Sequence, residues 1–182
     1  MNAFRDPLAA LLREIEEHVA QGGWDQEARL FALVPTGELL AREPGLAVVL
    51  GDDLSRNAHA GSMTPVEQEE LPDYLTLEDL LGGLAWPPDV AGAALVVERV
   101  VLPAEVEAHL PDDQTQALAM LQAHPLRQDV RLAVATMRDG RRWAAMRFRA
   151  HDVSAEVMAG PDLVPGLADA LASTLRDQDP PG

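Results

Sequence analysis

The sequence contains no cysteine and no lysine, and only 4% of its 182 residues are aromatic. Without cysteine there is no disulfide, no thiolate nucleophile and no cysteine-ligated metal. Without lysine no side chain can form a Schiff base. With so few aromatics the core falls to Leu, Val and Ala, which a 47% apolar composition supplies. No apolar run reaches membrane-spanning length. The opening MNAFRDPLAALLREIEEHV also lacks a signal-peptide core, because Asp6, Arg13, Glu14, Glu16 and Glu17 interrupt it. A cytoplasmic protein with no membrane partner is expected.

What is present is acid. The 30 Asp and Glu outnumber the 14 Arg, for a formal net charge of −16. Charge of that size and sign repels nucleic acid, so no nucleic-acid partner is expected. The length fits one domain over residues 1–176, with GDDLSRNAHAGSM (51–63) as a mobile loop and 177–182 as a disordered tail.

Periodicity places the elements. Asp6-Pro7 opens a helix whose stripe is Leu8, Leu11, Leu12, Ile15 and Val19, stopped by Gly22-Gly23. RLFALVP reads as a strand, TGELLA as a helical turn and GLAVVLG as a second strand. Thr64-Pro65-Val66-Glu67 matches a capping box and predicts a short helix through Leu71, with an extended edge segment as its rival. Thr76 and Asp79 repeat the capping pattern. AALVVERVVLP is apolar on both faces except at Glu98 and Arg99, which predicts a central strand covered on both sides. PDDQTQALAMLQAH and LVPGLADALASTL read as helices. Tight turns between neighbouring strands give an α+β fold: an antiparallel sheet of about five strands with helices packed on it. A parallel doubly wound sheet is the alternative.

RLAVATMRDGRRWAAMRFRAH (131–151) holds six of the arginines. A three-residue loop, Arg138-Asp139-Gly140, sets Val130, Leu132 and Val134 opposite Phe148, Met146 and Ala144, making one hairpin face wholly apolar. The other face then carries Arg131 directly opposite Arg147, with Arg149 across from Asp129. Like charges so placed need negative partners. These are either internal, from Glu98 or the EQEEL segment, or external, from a phosphate, a carboxylate or an acidic patch of another protein.

Other chemistry is sparse. Glu14 and His18 stand four apart on a helix as metal ligands can, and the Glu-rich polar face accounts for them equally. His151 with Asp152 and Glu156 offers a carboxylate–histidine pair. Trp24, Trp86 and Trp143 either line a pocket or anchor turns. No phosphate-binding glycine loop, nucleophile elbow or zinc motif occurs. No catalytic residue, metal site or cofactor is assigned, which weighs against an enzyme.

GWDQEARLFALVPTGELL, MTPVEQEELP, LAWPPDVAGAALVVERVVLP and GPDLVPGLADAL, spread over nearly the whole chain, together resemble a family of small acidic actinobacterial proteins with no assigned function. Two functions follow as expectations. One is a non-enzymatic interaction module, by analogy with small secretion-chaperone-type folds, which bind other chains and often form homodimers. The other is a small-anion binder or enzyme, with Arg131, Arg147 and Arg149 holding the anion and Glu98 or His151 as acid or base.

Overall fold

The computed structural model describes residues 6–49 and 61–176. Its elements are α1 (Pro7–Ala20), β1 (Arg29–Pro35), α2 (Thr36–Arg42), α3 (Pro44–Val49), β2 (Met63–Glu67), α4 (Leu77–Gly82), β3 (Gly92–Val101), α5 (Ala104–Glu107), α6 (Gln114–Ala123), β4 (Gln128–Met137), β5 (Arg142–Phe148), β6 (Met158–Gly160) and α7 (Pro165–Ser173). Two 3-10 turns, Arg149–His151 and Ser154–Glu156, join β5 to β6. The fold is α+β, and its antiparallel sheet runs β2-β1-β3-β4-β5-β6. It therefore has six strands rather than the expected five. Most of the expected loop at 51–63, and the tail at 177–182, lie outside the described residues.

Local chemistry explains most of these elements. Asp6 caps α1 by accepting from the Leu8 N–H at 2.9 Å, with Pro7 at the first helical position. Thr76 and Asp79 close a reciprocal capping box on α4. β3 lies between β1 and β4, and its first six residues are buried. The β4–β5 hairpin has the register set by its apolar alternation, Val130 on Phe148, Leu132 on Met146 and Val134 on Ala144. Its loop is Arg138-Asp139-Gly140, closed by the Met137 N–H donating to Arg141 O at 2.9 Å, and Gly140 takes φ +91°.

Two expectations are corrected. GLAVVLG is not a strand: residues through Val49 form α3, led by Pro44. Val48 and Val49 are 85% and 80% exposed, so no sheet face is available to reward an extended form. MTPVE is an edge strand, not a helix. Its pairing with β1 supplies hydrogen bonds that a single helical turn could not match, and Pro65 is tolerated at a sheet edge.

The sheet buries both faces. On one, Leu30, Leu95, Val97, Val130, Leu132 and Val134 pack with Leu80 of α4 and Leu171 of α7. On the other, Phe31, Leu33, Ala94, Val96, Ala133 and Ala135 pack beneath Leu8, Leu12, Ile15 and Val19 of α1. Among the described residues no helix is long and apolar enough to cross a membrane.

Candidate functional site

The arginine face of the hairpin is the face beneath α1. Arg131 and Arg147, opposite each other in register, are 1% and 3% exposed. Each has its own carboxylate, which removes the repulsion of the bare pair. Arg147 grips Glu16 of α1 with two hydrogen bonds, Nε to Oε1 at 2.5 Å and Nη2 to Oε2 at 2.8 Å, and donates to Asp152 Oδ1 at 3.0 Å. Arg131 donates to Glu98 Oε1 at 3.0 Å and to the carbonyl of Gly23. Arg149 spans both oxygens of Asp25 at 2.9 and 3.0 Å, with Asp129 at 3.7 Å.

Trp24 lies at the centre of this network. Its ring is 4.5 Å from the Arg131 guanidinium and 5.6 Å from that of Arg149, and its indole N–H donates to Asp152 Oδ2 at 2.9 Å. The Asp25 N–H donates to Glu98 at 2.8 Å. The loop after α1 is therefore tied to β3 through Glu98, to β4 through Arg131, and to the turn after β5 through Arg149 and Asp152. The charges respond accordingly. Bonding to Glu16 raises the Arg147 pKa. The Trp24 indole, then Arg147, lowers that of Asp152, and Arg149 lowers that of Asp25.

The remaining hairpin arginines also have internal partners. Arg138 bonds the carbonyls of Val90 at 2.8 Å and of Trp86 and Pro87 at 3.2 Å. Arg141 pairs with Asp139, and Arg142 with Asp162 and Asp169. Of the partners named from sequence, Glu98 and Asp129 are in place. EQEEL lies elsewhere, its Glu67 held by Arg29 at 2.6 and 2.7 Å instead of capping a helix.

His151 is not brought to the arginines. Its Nδ1 is 3.1 Å from Glu156 Oε2 and the imidazole is 67% exposed, while Asp152 turns to Trp24 and Arg147. His18 Nε2 lies 3.4 Å from Arg29 Nη2, so a cation occupies its neighbourhood. Glu16 was missed in the sequence, although a signal existed. It stands four residues after Leu12, within the buried stripe.

A different feature is open. α1 packs across β3, β4 and β5, and beside it Ala159 of β6 is exposed. Ala145 pairs with Ala159 in register, so both point to the α1 side. Between them and the flank of α1 runs a groove of about 670 Å³, lined chiefly by Ala9, Ala10, Trp143, Ala145, Val157 and Ala159. Arg13, Glu14 and Glu17 stand on its helical rim. Glu16 and Ser154, both partners of Arg147, close one end. Trp86 is a turn anchor, bonded to Thr174 Oγ1 at 2.9 Å, whereas Trp143 lines the groove.

A family model described as PPA1309-like protein matches residues 8–176. No curated protein and no solved structure matches the chain.

Proposed function

The chain belongs to the PPA1309-like protein family, a description that carries no activity, and on that footing we propose, from its own surfaces, a non-catalytic interaction module that binds an apolar segment of another polypeptide. The groove beside α1 carries this reading. Its volume of about 670 Å³ suits a bound segment, and its floor and walls are mainly apolar, with Arg13, Glu14 and Glu17 along the helical rim and Glu16 and Ser154 at one end. The arginines that would hold an anion are engaged by Glu16, Glu98, Asp25 and Asp152. Ser154 faces Arg147 at 3.4 Å, and among the described residues no base is positioned on it. A chain without cysteine accords with work in the cytoplasm.

One observation favours the second reading, a small-anion site. Nε and Nη1 of Arg131 have no protein partner among the described residues. Against it, that guanidinium is covered by Trp24, and five carboxylates surround three arginines.

A displayed peptide library separates the two. Ala155, in the turn before β6, also lines the groove on the side away from α1, and the interaction reading predicts binders to the native protein that are lost when Ala155→Trp fills it. Binders that hold the Trp variant equally well, or no enrichment at all, would overturn it.

A further inference from the structure

Resting on that reading, we infer that the groove's occupant is a cationic amphipathic α-helix of another protein, laid beside α1 over β6. Spacing is the first argument. Helices packed side by side sit about 8–10 Å apart and strands about 4.8 Å apart, so a neighbour of α1 centres over the strand that α1 leaves uncovered. The side chains there suit a helix. Ala9 and Ala10 on one wall and Ala145 and Ala159 on the floor allow close approach, while Trp143 and Val157 supply apolar area to bury.

An incoming strand is the rival occupant. The β6 edge is only 3 residues long, Met158–Gly160, and offers few free backbone groups to a strand. Charge decides among helices. Glu14 on the rim is exposed and has no ion-pair partner among the described residues, and Glu17 is 40% exposed beside Arg13. The chain as a whole carries −16. A second copy brings the same charge and is repelled, whereas a lysine- or arginine-flanked apolar stripe is drawn in.

Calorimetry with synthetic peptides of about 15 residues, long enough to hold helix, tests this. One has a leucine stripe flanked by lysine, the second replaces lysine by glutamate, and the third places proline mid-helix in the lysine peptide. The lysine helix is expected to bind, and the glutamate and proline versions to bind about tenfold or more weakly. Ala155→Trp and Ala10→Trp, on opposite walls, should each abolish binding while keeping the native circular dichroism, so misfolding of one leaves the other to decide. If all three peptides bind alike and the Trp variants block them, the interaction groove stands and the cationic helix is overturned. Preference for an extended peptide, or for a second copy of this chain, overturns it too. If no peptide binds and the library enriches nothing, both readings fall.

Discussion

Glu16 is an acid in the middle of an apolar helical stripe, and its bond to Arg147 explains its place. The two lie 131 residues apart in sequence, and both are sealed from water. Removing one partner leaves the other charge buried, so Glu16→Gln should lower the unfolding free energy by about 3 kcal/mol in a urea titration. Replacing both by Met should recover most of that loss, because an apolar pair of similar volume no longer needs a counter-charge. Asp152 gives a pH signature. Its pKa is lowered from 3.8 by the Trp24 indole and Arg147. A carboxylate lowered on folding stabilises fully above its unfolded value and loses that contribution as pH falls through the folded one. Stability should therefore drop on acidification below about pH 4, and Asp152→Asn should flatten that part of the curve, read as urea midpoints across pH. The opposition of Arg131 and Arg147 was legible from alternation alone. Their partner on α1 was not, because pairing across 131 residues depends on which sheet face the helix covers.

At the level of elements, the strongest periodic signals held: α1, the central β3, and the hairpin with its three-residue loop. Each combines an apolar pattern with a cap or a turn residue, so local and tertiary preferences agree. Gly140 at φ +91° is one such turn residue, and Gly140→Ala should cost about 1 kcal/mol or slightly more, visible as a lower melting temperature. Gly92 has a different reason. A Cβ there would meet Met137 Sδ at 2.5 Å and Thr136 O at 2.6 Å, so the start of β3 tolerates no side chain. The misread segments, GLAVVLG and MTPVE, are short runs where apolar content is ambiguous between helix and strand. Tertiary pairing decided both. β1 pairs with MTPVE along one edge, whereas the described part of GLAVVLG is helical and leaves Val48 and Val49 exposed. The carboxylate of Glu67, freed from capping, neutralises Arg29 beside it.

The whole molecule is an acidic body whose hairpin cations are spent inside it. All six arginines of residues 131–149 face internal oxygens. Arg131, Arg147 and Arg149 brace α1 and the loop after it against the sheet, while Arg138 and Arg142 tie the other end of the hairpin to the segment before β3 and to α7. The groove could not be read from the sequence, since an uncovered strand is visible only once strand order and helix placement are known. Trp143 gave the nearest hint, as a large apolar residue on the arginine-bearing face. Interaction through the groove should weaken as salt rises from about 50 to 500 mM, since screening removes the long-range attraction of the −16 charge.

The 3 tryptophans provide the most direct test, because they report on three separate places. An ¹H–¹⁵N correlation spectrum recorded as the lysine-flanked peptide is added resolves their indole signals. The Trp143 signal is expected to move while those of Trp24, bonded to Asp152, and Trp86, bonded to Thr174, stay in place. A spectrum in which Trp143 is unmoved by the peptide, or in which inorganic phosphate shifts Trp24 instead, would contradict that expectation and return the arginine cluster to the centre of the protein's function.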